Sequence, residues 1–269
     1  MNKLRIKPLL KENILPADTL LNASAKLSGS LSQPVMSLQG KLTGLAWSGL
    51  PPSQVEFSGS YQAQTLELNG RALTDGHSSL DFTASLGLEL SLHPPVSNLT
   101  AQGLSASAKS DNLPLALFEP LVPGLAEISG KANMNITATG SLEKPIFSGF
   151  VELDQAAFTV SPTGQRFEKI DLALGLEGQR VSVQRARVRS GGAMEFSGWF
   201  DLPRAEGGRF SLDMKASKFD LSIGIWGDSK FDAALQARGT WQKPLITGTV
   251  KPTDLSVQIG MGTPRALKE

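Results

Sequence analysis

The sequence predicts an all-β protein: a repeated, elongated, open β-sheet groove with an apolar concave face and very little helix. Residues 80–92, LDFTASLGLELSL, alternate between apolar and polar side chains without interruption. A period of two is typical of a strand with one apolar and one solvated face. The same alternation recurs in residues 132–138, 194–202 and 209–215, and a long internal repeat relates residues 80–86 to residues 194–200.

The composition narrows the function classes. The chain has 269 residues, of which 40% are hydrophobic and 19% charged, and its formal net charge is +1. A nearly neutral chain gives no reason to expect a nucleic-acid partner held by bulk electrostatics. The absence of cysteine excludes disulfides, thiolate catalysis and cysteine-ligated metals.

The repeat is visible as a short motif in three copies. GSLSQP begins at Gly29, GSLEKP at Gly140 and GTWQKP at Gly239. Four residues after the proline, the second and third copies have Gly149 and Gly248, where the first copy has a leucine. The motif predicts one module of roughly a hundred residues. We expect residues 1–28 to end a preceding, truncated repeat, 29–139 and 140–238 to be two modules, and 239–269 to begin a third.

Turn residues separate the strands within each module. TDGHS around Gly76 and RSGGA around Gly191 supply the glycines that hairpins need, and Asn69–Gly70 is a further turn candidate. The motif prolines lack an amide donor and belong at strand ends. The best helix candidate is residues 113–127, where Pro120 and Pro123 limit any helix to about two turns.

The order of these pieces resembles a known family. Residues 103–158, which include SGKANMNITATGSLEKPIFSGFVEL, and residues 167–202, which include IDLALGLEGQRVSVQRARVRSGGAMEFSGWF, resemble the translocation and assembly module (TamB) family of the AsmA-like group. The resemblance covers about residues 20–260. It departs from the family pattern at Leu38 and in the short segment SIGIWGDS, which replaces a helix-like linker.

The resemblance implies a bridge-like, taco-shaped β-groove in the periplasm, belonging to a parent protein anchored in the inner membrane by a segment outside this chain. It implies transport of phospholipid between inner and outer membranes, and a role in outer-membrane protein and autotransporter assembly, that is, in protein secretion. The implied partners are phospholipid, an Omp85-type outer-membrane protein contacted through other parts of the parent, and unfolded outer-membrane protein strands.

The alternation itself assigns the groove lining. A closed sandwich of two sheets would also explain one apolar side per strand. Repetition of the pattern and the scarcity of aromatic residues favour an open groove. One tyrosine and four tryptophans are too few for the aromatic girdles of a membrane barrel. The predicted lining residues are Leu66, Leu68, Leu80, Phe82, Leu86, Leu88, Leu90, Leu92, Met134, Ile136, Leu172, Leu174, Leu176, Val181, Val183, Met194, Phe196, Phe200, Phe210, Leu212 and Met214.

Three arginines form a second candidate feature. In RVSVQRARVRS the alternation predicts one face that starts with Val181 and Val183 and continues as Arg185, Arg187 and Arg189. This face could be a groove rim that binds lipid phosphates, or a solvated strand end.

No catalytic constellation or metal site is expected. His77 lies in a turn and His93 precedes two prolines, so both are predicted to be exposed, and no His, Asp and Glu cluster has metal-ligand spacing. We therefore expect no enzyme and no cofactor. The functional hypotheses are a lipid conduit, a scaffold that binds outer-membrane protein strands along its sheet edges, or a closed adhesin-like sandwich.

Overall fold

The computed structural model describes residues 4–5, 19–45, 53–74, 77–99, 103–202, 207–222 and 227–257. Almost every described segment is a strand. The strands are β1 (Leu4–Arg5), β2 (Leu20–Gly29), β3 (Pro34–Leu45), β4 (Ser53–Gln62), β5 (Thr65–Thr74), β6 (His77–Leu92), β7 (Pro95–Leu99), β8 (Leu104–Pro114), β9 (Leu125–Gly140), β10 (Pro145–Val160), β11 (Gln165–Gly178), β12 (Arg180–Ser190), β13 (Gly192–Asp201), β14 (Arg209–Ser222), β15 (Gly227–Thr240) and β16 (Lys243–Val257).

The strands form one open antiparallel sheet. They follow the order of the chain from β1 to β16, except that β7 pairs only with β6 and β8 takes its place in the main sheet. The sheet does not close into a barrel. The predicted all-β class and open architecture are therefore confirmed, and a closed sandwich of two sheets is not the observed arrangement.

The three motif copies occupy equivalent turns of this sheet. They connect β2 to β3, β9 to β10 and β15 to β16, and in both intervals six strand positions separate one copy from the next. The first interval is longer in sequence because it also contains β7, which lies off the main path, and a short 3₁₀ helix, Leu115–Leu121. The modules share one sheet, and their boundaries stay predictions.

The turn predictions had mixed outcomes. Gly191 joins β12 to β13 with φ of +64°, as the RSGGA sequence predicts, and the 3₁₀ helix lies within the predicted helical segment. Residues 75 and 76 of TDGHS lie outside the described residues. The Asn69–Gly70 prediction is wrong: Gly70 lies inside β5, because the Phe82 ring of β6 occupies the space that a side chain at Gly70 would need.

A β-bulge near the end of β14 illustrates how the strands are bent. Lys218 adopts a positive φ of +46°, and its backbone N–H donates to Oδ1 of Asp232 on β15 at 2.8 Å. The extra residue turns Phe219 onto the apolar side, where it is 1% exposed. The Asp232 carboxylate thus accepts a hydrogen bond from the Lys218 amide, which the bulge removes from the hydrogen-bond ladder between the strands.

The first module contains the same device. Asn112 of β8 has φ of +61° and donates its N–H to Oδ1 of Asn133 on β9 at 2.7 Å. The next residue, Leu113, is also 1% exposed. The two bulges lie in equivalent strands of the repeat, since β8 precedes β9 as β14 precedes β15.

The tightest packing lies near the bulges. Ala216, Phe219 and Ala233 form a buried cluster, against which partly buried residues such as Phe167 and Phe231 pack. The Phe219 ring centroid lies 6.1 Å from that of Phe167 and 5.9 Å from that of Phe231. Much of the sealed core therefore sits at one end of the strands.

Candidate functional site

The registers of all neighbouring strands place apolar residues on one continuous side of the sheet, which we call the apolar face. Its central row runs from β2 to β16 without an ionisable or hydrogen-bonding side chain. The row comprises Ala23, Gly40, Phe57, Gly70, Phe82, Ala108, Ile136, Gly149, Leu176, Val181, Phe200, Phe210, Gly239 and Pro244.

Neighbouring rows continue the pattern. One runs through Met134, Val151, Leu174, Val183, Gly198, Leu212, Ala237 and Ile246. Another runs through Leu172, Ala186, Phe196 and Met214. Leu66, Leu68, Leu80, Leu86 and Met194 lie at alternate positions from these rows on the same strands. Every predicted lining residue therefore lies on the apolar face except Leu88, Leu90 and Leu92.

These three leucines lie in the half of β6 that leaves the main sheet. Beyond Gly87, β6 pairs with β7. The backbone N–H of Leu88 donates to the carbonyl of Gln64 at 2.8 Å, and that of Leu92 donates to the carbonyl of Leu31 at 2.7 Å. The β6–β7 hairpin therefore runs along the turns that end the preceding strands, and the alternation alone gave no sign of this departure.

Tyr61 fixes the hairpin against the apolar face. Its side chain lies on this face between Met36 and Leu66, and its hydroxyl oxygen accepts the backbone N–H of Leu90 at 3.0 Å. Tyr61 is only 4% exposed. The sequence contains no other tyrosine, and its role was not predicted.

Most side chains of the apolar face are only partly buried. Leu174, Leu176, Phe196 and Leu212 all keep some exposure to solvent, and the largest fully buried side chains are Phe219 and Leu113. Val181 and Phe210 of the central row are exceptions at 4% and 7% exposure, and the rings of Phe200 and Phe210 contact that of Trp241. The face is thus a broad accessible apolar surface adjoining a small sealed core.

The opposite side of the sheet, the polar face, is hydrophilic. One of its rows alternates in charge across five strands, from Lys41 through Glu56, Arg71 and Asp81 to Lys109. Two neighbouring pairs form ion pairs, Lys41 with Glu56 at 3.0 Å and Arg71 with Asp81 at 3.5 Å. These exposed ion pairs keep the polar face hydrated, and each contributes little to the stability of the fold.

A hollow of about 770 Å³ lies along strands β2 to β6, and its lining includes Ala23, Phe57 and Phe82 of the central row. Its lining flanks the central row on both sides with polar residues, including Gln39, Ser58 and Asn69, and includes none of the apolar neighbours two residues away. The hollow therefore combines members of the central apolar row with the polar residues that alternate with them.

The predicted basic continuation of the apolar face is wrong. A β-bulge between Val183 and Ala186 shifts the register of β12, so that Ala186 continues the apolar face. The three arginines lie on the polar face instead, where Arg185 pairs with Ala173, Arg187 with Glu195 and Arg189 with Ala193. The bulge reverses the alternation, and Arg187 forms an ion pair with Glu195 at 3.0 Å.

Other candidate chemistry is sparse in the part of the chain that the structure describes. His93 is exposed as expected, whereas the side chain of His77 lies outside the described residues. Among the described residues, no group of three His, Asp or Glu side chains is arranged to hold a metal ion. None of the described helices has the length and apolarity needed to cross a membrane.

The edge strand β16 is the most exposed part of the sheet. Leu245, Ile246 and Val250 are 65%, 63% and 56% exposed, and among the described residues β16 pairs only with β15. Within the described part of the chain, the outer edge of β16 therefore has backbone groups that no neighbouring strand pairs.

Comparison of the chain with protein-family models, with curated proteins and with solved structures gave no match.

Proposed function

We propose that this chain is a lipid-conduit module, whose apolar face shields phospholipid acyl chains between two membranes. The observation that supports the proposal is the central apolar row, which crosses the sheet from β2 to β16 while its neighbouring side chains stay partly exposed. A fully sealed core would leave no accessible apolar surface for an acyl chain.

The free energy of binding an acyl chain to the apolar face is favourable. Burial of an acyl chain is worth about 0.8 kcal/mol per methylene, so a sixteen-carbon tail could gain on the order of 10 kcal/mol before entropic losses. Similar apolar surroundings recur at every strand, so movement along the face would cost little. The polar headgroup would stay in water, and no specific headgroup site is required.

The setting of the module is part of the same proposal. The resemblance to the TamB family supports a periplasmic module of a protein anchored in the inner membrane, which acts with an Omp85-type partner in outer-membrane protein assembly. The lack of an ionisable side chain in the central apolar row is compatible with a non-enzymatic role.

The direct test is native mass spectrometry of the purified chain, with phospholipid extracted from the same sample. We expect co-purified phospholipid in the wild type and its loss in Leu174→Glu and in Leu212→Glu, because a carboxylate on the apolar face opposes an acyl chain. Thr139→Glu is the matched control, since Thr139 is exposed on the polar face. The proposal fails if no lipid co-purifies, or if all three variants retain it equally while circular dichroism shows them folded.

A second candidate function is supported by a different observation, the outer edge of β16, which pairs with no strand among the described residues. An exposed strand edge can bind extended segments of another protein by main-chain hydrogen bonds. This would make the module a scaffold for outer-membrane protein strands, and it uses the backbone edge rather than the apolar face. The Glu variants above should therefore leave strand binding largely intact.

A further inference from the structure

The β6–β7 hairpin is an addition to the repeat. β6 has 16 residues, whereas β13, which holds the equivalent position in the second module, has 10. The additional length of β6 pairs with β7, and the main sheet is continuous without it. Among its described residues, the second module completes its part of the sheet with no such hairpin. Residues 88–99, which we call the flap, are therefore not needed to form the sheet.

Few contacts hold the flap to the rest of the described chain. The pairing of β6 with the main sheet ends at Gly87 on one side and at Ser85 on the other. Beyond these positions, the backbone hydrogen bonds that leave the hairpin run to two turn carbonyls, those of Gln64 and Leu31. Most residues at the tip of the flap are exposed. Segments with few hydrogen bonds and high exposure open locally at low free energy, so the flap is the part of this module best suited to open.

A pair of glycines lies at the base of the flap. Gly87 is the last residue of β6 that pairs with β5, and Gly103 immediately precedes β8. A Cβ atom at Gly103 would lie 3.6 Å from the backbone nitrogen of Gly87, so the two residues are neighbours across the base of the hairpin. Gly103 also has φ of +97°, a conformation that residues with a side chain rarely adopt. The pair gives this position the backbone freedom of a hinge.

Tyr61 is the residue through which the flap covers the apolar face. Its neighbours in the same row, Met36 and Leu66, are partly exposed, whereas Tyr61 itself is only 4% exposed. The Leu90 amide, which donates to the Tyr61 hydroxyl, places the flap against this side chain. Opening of the flap would expose the Tyr61 ring and extend the accessible apolar face to the turns that end β2 and β4.

We propose that the flap is a side gate of the apolar face, hinged at Gly87 and Gly103 and latched by the Tyr61 hydroxyl. The structure shows the closed state, in which the flap covers the face at Tyr61. In the open state, an acyl chain of a phospholipid enters from the side of the sheet and takes the place of the flap against the Tyr61 ring. This inference rests on the proposed lipid-conduit function and adds a means of regulating it.

The test locks the flap with a disulfide, since the chain has no native cysteine. Leu31→Cys/Leu92→Cys joins two exposed positions whose backbones are hydrogen-bonded at 2.7 Å. Uptake is measured from phosphatidylcholine vesicles that contain a pyrene-labelled phosphatidylcholine. We expect about tenfold slower uptake by the oxidised than by the reduced protein, because the lock removes the open population. Gln236→Cys/Thr247→Cys is the matched control, a disulfide between opposite exposed residues of β15 and β16 that should leave uptake unchanged.

Tyr61→Phe is an independent variant, because it removes the latch and keeps the ring. It should take up the labelled lipid several-fold faster than the wild type. In the wild type, the amides of Leu88 and Leu92 should exchange hydrogen about tenfold faster than those of β5.

Three results would each overturn the inference: equal uptake by the oxidised and reduced forms of the locked variant, uptake by Tyr61→Phe no faster than wild type, or exchange of the flap amides as slow as that of β5. Absence of uptake by the wild type together with fast exchange of the flap amides would instead refute the lipid proposal. The two failures are thereby distinguished.

Discussion

Truncation of two chemically identical side chains should separate the sealed core from the apolar face. Leu113 is 1% exposed next to the bulge of β8, whereas Leu174 is partly exposed in the middle of β11. Leu113→Ala and Leu174→Ala remove the same atoms from these two environments. A difference between them therefore reports on packing rather than on residue type.

The magnitudes follow from the two environments. A fully enclosed leucine leaves a cavity when it is truncated, so Leu113→Ala should lower the free energy of unfolding by about 3–5 kcal/mol. On a face open to solvent no enclosed cavity forms, and only the partial burial of Leu174 is lost. At about 25 cal/mol per Å² of apolar surface, this should be roughly 1–1.5 kcal/mol.

Urea denaturation followed by circular dichroism and tryptophan fluorescence measures both values. Agreement of the two probes and an unchanged m-value are required before the free energies are compared. The reasoning is refuted if Leu174→Ala is as destabilising as Leu113→Ala. That result would mean that the middle of the apolar face is packed as tightly as a core and has no room for an acyl chain.

Three further predictions concern the backbone of the sheet. Asp232→Ala should lower the free energy of unfolding by about 1 kcal/mol, because it removes the acceptor of the Lys218 backbone N–H. Asp232→Asn should lower it less, because the amide oxygen of the equivalent Asn133 accepts the same kind of hydrogen bond. Equal effects of the two variants in urea denaturation would contradict this role. Tyr61→Phe should speed hydrogen exchange of the Leu90 amide several-fold without affecting amides of β14, and unchanged exchange measured by NMR would show that the hydroxyl does not hold the hairpin. Gly149→Ala should lower the unfolding midpoint in urea far more than Gly164→Ala, because a Cβ atom at Gly149 would overlap the carbonyl oxygen of Asn135. At Gly164 the added Cβ lies in open space and costs only about 1–2 kcal/mol of left-handed strain. Similar midpoints for the two variants would contradict the close approach of Gly149 to Asn135.

Alternation and repetition were enough to predict the sheet and most of its apolar face. Residues such as Met134 and Leu212 could be assigned because regular strands keep a strict period of two, and the turn motif gave the spacing of equivalent strands. The pairing register did not have to be known, since in a sheet of this kind the apolar sides must coincide.

The errors arose where the period of two is interrupted. A bulge adds one residue and reverses the alternation, and nothing in RVSVQRARVRS marks that position, so strict alternation predicts the wrong face for the arginines. The tail of β6 keeps its alternation while it changes neighbours, because periodicity describes the strand and not its partner. Gly70 resembled a turn residue although it serves to accommodate the ring of Phe82.

Successive motif copies are separated by a constant number of strands, so the number of repeats sets the length of the sheet. Both intervals advance the sheet by six strand positions although their sequence lengths differ, because the extra residues of the first interval lie off the main path. At about 4.8 Å between neighbouring strands, each repeat spans about 29 Å. A protein of this type could therefore be adjusted to a wider or narrower gap by gain or loss of whole repeats, while loop insertions would leave its reach unchanged.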